Sequence, residues 1–300
     1  MAEARRQQMK GCLDDAERTL RKALASNPEL HDRIALQSTL GGVWRMKGRY
    51  RESGLLLRLT LDNATLNIGS GSTKIVPVCN ELAVWGKYTG NFSLAEELYI
   101  QALRILEGEY GPVHSSVATV CHNLGGLFHA QRKYALAEPW AYRAVVIRRA
   151  VCGPDTVQVA EDSAAWAAIL QGLGRSDQAQ EILTSVLQSF RAAYGPEHYD
   201  IAVTEHNLAA IAHRQGDLSV AESGYQRALA MKERILGLGH PECATTVINL
   251  AAVFRSQGEV SKSREYYHRT IELLRDVVAA DHPTLLLAQE GLLGLAPERC

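Results

Sequence analysis

The sequence holds no apolar run long enough to span a bilayer, which takes about 20 residues. Its first ten residues, MAEARRQQMK, lack the apolar stretch of a signal peptide. Charge of one sign is also missing: 32 Lys and Arg face 33 Asp and Glu, a net of -1. That balance gives no global attraction to nucleic acid or to an acidic membrane surface, and no basic stripe with interleaved aromatics suggests nucleic acid locally. No Cys-x-x-Cys pair occurs among the six cysteines, Cys12, Cys79, Cys121, Cys152, Cys243 and Cys300. Five are expected to be small packing residues in a reducing, cytoplasmic compartment, and the terminal Cys300 an exposed thiol. Asn63-Ala-Thr and Asn91-Phe-Ser fit the glycosylation sequon, but nothing else suggests secretion. Enzyme signatures are absent too: there is no Gly-x-Ser-x-Gly and no His-Glu-x-x-His. Gly69-Ser-Gly-Ser-Thr-Lys lacks the ending of a phosphate loop and the strand before it, so it reads as a flexible linker. A non-catalytic protein without metal or cofactor is expected. With 46% hydrophobic residues it can bury a large core.

What the sequence does hold is a repeat. A small residue recurs every 42 positions: Ser53, Ala95, Ala137, Ala179, Ala221 and Ser263. Five residues upstream lie Gly48, Gly90, Gly174, Gly216 and Gly258, with Arg132 in the one gap. Leu82, Leu124, Leu208 and Leu250 keep the same register, with Trp166 in the remaining slot. Self-similarity at such a period means a stack of units, each packed mainly on its neighbours.

In residues 198–236, Ile201, Leu208, Ile211 and Ala212 have helical spacing, and so do Leu218, Ala221, Tyr225, Ala228, Leu229 and Ile235. Gly216 is placed to end the first helix and Asp217 to cap the second. Small residues at Ala209, Ala221 and Ala228 let the two helices approach closely. The same reading gives helix pairs over about 31–67, 73–108, 114–150, 156–192, 198–235 and 240–278. Pro139 is expected near the first turn of its helix, where proline is tolerated. An unpaired helix at 3–25 precedes the pairs and a capping helix at 282–295 follows, all in one domain over 1–300. The Gly/Ser stretch after Asn67 is the expected mobile point. The unpaired helix is expected to leave Leu13, Leu20 and Leu24 only partly covered, so that edge is expected to be occupied by another copy, by an upstream segment or by a partner, self-association being the most accessible version.

The pattern of leucine, small residue, aromatic, glycine and Ala-Leu resembles the tetratricopeptide repeat. The 42-residue form is similar to the repeat domain of kinesin light chains. Its marks here are Gly111-Pro112-Val113-His114, Gly195-Pro196-Glu197-His198, His240-Pro241 and His282-Pro283, with Asn123-Leu124, Asn207-Leu208 and Asn249-Leu250. The resemblance implies an all-α, right-handed superhelical solenoid of antiparallel helix pairs. It also implies that the first helices line a concave groove. Glu205 stands at a position usually apolar in the family, and is expected to snorkel to the rim or to pair with a cation.

On the implied groove lie Asn123, Asn207 and Asn249, with His122 and His206 beside them and Arg45, Lys87, His129, His213, Arg214 and Arg255 two turns further on. An asparagine offers one acceptor and two donors, so an array can hold the backbone of an extended peptide. The basic lining favours an acidic segment, with Glu81 and Glu161 as local exceptions. His122 and His129, like His206 and His213, are seven residues apart, about 10.5 Å along a helix, too far to share a metal ion. Their expected consequence is a groove charge that varies with pH, since free imidazole titrates near 6.5. His114, His198, His240 and His282 recur between units and fit a capping role. The expected function is therefore a protein-interaction module binding an extended, acidic peptide. The alternative is a self-associating array, or the sensor portion of a larger regulatory protein, that meets partners through its edges.

Overall fold

The small residues that repeat every 42 positions are where the helices come closest. Ser53, Ala95, Ala137, Ala179, Ala221 and Ser263 are all fully buried in the computed structural model, which describes residues 13–275 and 283–295. Glycine also serves close approach between paired helices: a Cβ at Gly86 would meet Asn91 O at 2.9 Å and Ala95 at 3.3 Å, and one at Gly224 would meet Ala209 at 2.9 Å. Ser53 and Ser263 hold the crossing by hydrogen bonds, their hydroxyls donating to Gly41 O and Ala251 O at 2.8 Å each. A larger side chain at these crossings would push the helices apart, at a typical overpacking cost of about 1–3 kcal/mol.

Among the described residues there are fourteen α-helices. They are α1 (Leu13–Ala25), α2 (Leu30–Met46), α3 (Tyr50–Ile68), α4 (Val76–Thr89), α5 (Phe92–Tyr110), α6 (Ser115–Ala130) and α7 (Tyr134–Cys152). Then come α8 (Val157–Gly172), α9 (Ser176–Tyr194), α10 (Tyr199–Gln215), α11 (Leu218–Leu236), α12 (Ala244–Ser256), α13 (Val260–Leu274) and α14 (Pro283–Leu293). Short 3-10 turns at Thr73–Ile75 and Pro241–Cys243 lead into α4 and α12. No helix among the described residues is long and apolar enough to cross a membrane. The chain divides into two units, 1–154 with α1–α7 and 155–300 with α8–α14. Within each unit helices adjacent in sequence pack together. First helices also touch directly, α2 with α4 and α4 with α6 in one unit, α8 with α10 and α10 with α12 in the other.

The helix ends follow the repeat. Gly216 ends α10 at φ 88°, a left-handed conformation that costs glycine little. Arg132, in the gap of the glycine series, adopts the same conformation at φ 59°. His114, His198 and His240 cap the helices or turns that follow: each Nδ1 accepts the N–H two residues on, at 3.2, 3.3 and 3.2 Å. His114 stacks on Tyr110 and His198 on Tyr194, with ring centroids 4.4 and 3.8 Å apart. His282 lies outside the described residues.

Several expectations are corrected. Asp217 occupies the cap position of α11 without a side-chain capping bond. Pro139 is the sixth residue of α7, inside the helix rather than in its first turn. In the Gly/Ser linker, Ser70 O accepts from Gln101 at 3.2 Å, and the Ser72 hydroxyl caps the turn at Lys74 N at 3.3 Å. Cys79, Cys121 and Cys243 are buried, but Cys152 is exposed at the end of α7; Cys12 and Cys300 fall outside the described residues. Leu20 is covered, at 1% exposure, while Leu13 and Leu24 are half-buried against α2. The outward positions of α1, Asp14, Arg18, Arg21 and Lys22, carry charge instead.

Candidate functional site

In the first unit the first helices, with Leu106 of α5, line an open cavity of about 450 Å³. Ser38 and Thr39 of α2, Asn80 and Glu81 of α4, and Ser116, Thr119 and Val120 of α6 line it, with Val76, Pro77 and Leu106. The hydroxyls of Ser38, Thr39 and Thr119 donate to carbonyls one turn back on their own helices, at 2.6, 2.9 and 3.2 Å. The walls therefore present methyl and methylene groups as much as polar ones. At the edge of the cavity Asn123 Nδ2 donates to Asn80 Oδ1 at 2.6 Å. One donor of Asn123 is thus used between helices, leaving its oxygen and second N–H. His122, beside it, is half-buried.

Two turns further along, in strict register, lie Arg45, Lys87 and His129. All three are half-buried. Arg45 Nη2 is 3.6 Å from Glu81. The Arg45 guanidinium carbon lies 5.1 Å from the centroid of the Tyr88 ring and Lys87 Nζ 5.6 Å from it, so two cations share one aromatic ring. No carboxylate among the described residues pairs with Lys87. Burial lowers the pKa of its ammonium and the neighbouring Arg45 charge lowers it further. Burial likewise lowers that of His129, with the Lys87 charge adding to it. The backbone leaves room here: a Cβ on Gly126 would reach Lys87 Nζ at 3.9 Å.

In the second unit the corresponding residues are bound to one another. Asn249 Nδ2 faces His206 Nε2 at 3.3 Å, and His206 Nδ1 faces the Thr246 hydroxyl at 3.1 Å. Lys232, buried at 5% exposure, donates to the same hydroxyl at 3.1 Å. An amide N–H must donate to Nε2, so the ring is neutral with its proton on Nδ1. Burial, with the Lys232 charge behind it, lowers the His206 pKa to about 4. Burial also lowers that of His213, whose Nε2 is 3.4 Å from the Ser256 hydroxyl. The expectation of imidazoles titrating near 6.5 on this face is corrected for His129, His206 and His213. Arg214 donates to Gln171 at 2.8 Å, and Arg255 is exposed. Asn207 is half-buried and makes no side-chain hydrogen bond among the described residues.

Lys232 and Thr246 were not picked out by the sequence reading. A signal existed: Lys232 and Arg148 interrupt a column otherwise filled by Ala64, Leu106, Phe190 and Leu274. Arg148 is also buried, donating to Ser115 and Thr119 of its partner helix. The described residues contain no group of three or more His, Cys, Asp or Glu placed to hold a metal ion.

The tetratricopeptide repeat family model matches residues 80–150, 160–234 and 200–276. The chain belongs to the tetratricopeptide repeat family. It is 28% identical over 179 residues to Protein KINESIN LIGHT CHAIN-RELATED 2 of Arabidopsis thaliana, a match covering 57% of this chain and only 27% of that protein. The fold is similar to that of BtubC (BKLC) from P. vanneervenii, at 22% identity and TM-score 0.59, over 80% of this chain and 93% of that one. It is also similar to a Rap protein complexed with competence and sporulation factor, at 18% identity and TM-score 0.67, over 92% of this chain and 75% of that one. Identity this low carries the fold alone. Tetratricopeptide repeats are in general protein-protein interaction modules, typically without catalysis.

Proposed function

We propose that the first-helix face holds an extended, acidic peptide segment. One observation carries the reading: Lys87, half-buried between Arg45 and His129, has no carboxylate of its own. A desolvated cation without a counter-ion is unfavourable, and an acidic side chain from a ligand removes that cost. The cavity two turns away receives an uncharged side chain of the same segment. Asn123, with His122 beside it, holds the ligand backbone in this unit. Asn207 and Asn249, with His206, His213, Arg214 and Arg255, offer a second set of contacts in the other unit. The Rap protein of similar fold is complexed with competence and sporulation factor, which fits a partner-binding role for such a scaffold. The buried thiols of Cys79 and Cys243 suit a reducing, cytoplasmic compartment. Self-association through α1 has less support, because the outward side of that helix is charged.

The test is selection from an unbiased peptide library, then fluorescence anisotropy with the selected peptides. Acidic peptides should be recovered, and their affinity should fall as salt rises, because exposed charge is screened over about 8–10 Å. Lys87→Glu should abolish binding, while Arg104→Glu, on the outer surface of α5, should bind as the wild type does. Recovery of basic or purely apolar peptides would sink the proposal, as would unchanged affinity in the Lys87 variant.

A further inference from the structure

The outer side of α3 carries three leucines in one line. Leu55, Leu59 and Leu66 are 62%, 58% and 85% exposed. At 100° per residue they lie within about 40° of one another, a stripe about 16 Å long. One repeat further on, the same positions hold Glu97, Gln101 and Gly108; four repeats on, they hold Ser223, Arg227 and Arg234. The stacking of the repeats therefore does not require leucine there. Nor is the helix loosely placed: a Cβ on Gly54 would meet the Trp85 ring at 2.6 Å, and Trp85 Nε1 donates to Tyr50 O at 2.7 Å.

We propose that α3 is a self-association surface on which two copies of the chain pack α3 against α3, antiparallel, about a two-fold axis. The flank of the stripe selects a second copy over another partner. Arg58 and Asp62 are both exposed and lie on the same side of the leucines, one turn apart. Antiparallel pairing centred between residues 60 and 61 sets Leu55 against the second copy's Leu66. It also sets Arg58 beside the second copy's Asp62, and the two-fold repeats both contacts. A surface carrying its own complementary charge in reverse order is what an isologous contact needs. Arg58 is already positioned, its guanidinium 5.1 Å from the centroid of the Trp85 ring. Three leucines make a small contact, short of the roughly 1,200 Å² of a standard interface, so the dimer is weak and concentration-dependent. This inference does not rest on the peptide reading and uses none of its residues.

Sedimentation equilibrium of the whole chain across a concentration series gives the test. The wild type should rise from monomer to twice that mass. Leu59→Glu, a substitution on the surface with unchanged circular dichroism, should stay monomeric, while Leu13→Glu on α1 should still dimerise. Arg58→Asp alone and Asp62→Arg alone should each weaken the dimer, by placing like charges together. Mixing those two variants should restore it, since each then supplies what the other lacks. A wild type that stays monomeric overturns the proposal, and so does a dimer that survives Leu59→Glu. Failure of the mixed variants to associate overturns the antiparallel register.

Discussion

Asn123 donates to Asn80 across 2.6 Å, and 43 residues of sequence separate them. The same separation recurs in Arg214 with Gln171, Asn249 with His206, His213 with Ser256 and Tyr199 with Glu242. It recurs once more where the Arg45 guanidinium lies over Tyr88. One repeat plus one residue is thus the diagonal step between neighbouring first helices. The polar face of the first helices stitches the repeats to one another.

Removing either end of that stitch tests its structural share. Asn80→Ala and Asn123→Ala should each lower stability by about 0.5–1.5 kcal/mol, the usual net worth of a hydrogen bond. Because the two amides share one bond, the double variant should cost less than the sum of the singles. Chemical denaturation measures all three. Strict additivity would mean that the amides act separately and that the 43-residue contacts do not hold the stack.

The glycine series offers a test of opposite sign. Arg132 is exposed and sits at φ 59° between His129 and Lys133, where its five counterparts are glycine. A left-handed conformation costs a non-glycine residue about 1–2 kcal/mol, partly offset by the extra freedom that glycine has when unfolded. Arg132→Gly should therefore stabilise the chain by about 0.5–1 kcal/mol. A lower denaturation midpoint in that variant would show that the arginine side chain contributes something its exposure hides.

The fold could be read in the sequence because one constraint, close approach at a helix crossing, must be met in every repeat. It leaves Ser53, Ala95 and their counterparts in register whatever surrounds them. The capping histidines were legible for the same reason. The site was less so. Whether Asn123 meets Asn80 or His206 meets Asn249 depends on the stagger between helices, and period does not encode stagger. The neutrality of His206 depends on Lys232 and Thr246, which lie outside the first-helix pattern. The exposure of Leu55, Leu59 and Leu66 could not be seen either, because an apolar residue on a helix gives the same signal facing a core or facing water.

Glu205 shows how a break in the pattern is absorbed. Glu107 pairs with Arg143 and Glu233 with Arg269, two equivalent contacts three repeats apart. In the interval between them the same two positions are Arg191 and Arg227, and both converge on buried Glu205, at 2.6 and 2.9 Å. Removing both arginines strands a buried carboxylate and should cost about 3 kcal/mol or more. Arg191→Glu together with Glu205→Val restores the neighbouring arrangement, since Val247 holds the equivalent place, and should recover most of the wild-type stability. If that pair of changes is as damaging as the arginine deletions, the charge exchange is not the reason for Glu205.

The last prediction concerns acid and the first helix. Glu17 of α1 is buried at 6% exposure. Its carboxylate takes hydrogen bonds from Lys47 at 2.6 Å, Trp44 at 2.9 Å and Arg49 at 2.9 Å, with Arg21 also at 2.9 Å. Burial alone would raise its pKa; the bonds from Lys47 and Trp44 and the charge of Arg21 outweigh it and bring the value down to about 2. A folded-state pKa below the ordinary 4.5 means that the fold prefers the ionised form. This contribution is complete above pH 4.5 and is lost as the pH falls through about 2. Lys47, Trp44 and Arg49 belong to α2 and the turn after it, so the loss falls on the contact between α1 and α2. On acidification the amides of α1 should lose hydrogen-exchange protection before those of α4 or α6. In Glu17→Gln the protection of α1 should already be reduced at neutral pH and should no longer change across that acid range. If α1 in the Gln variant loses protection along the same pH profile as the wild type, some other carboxylate governs the attachment of this helix.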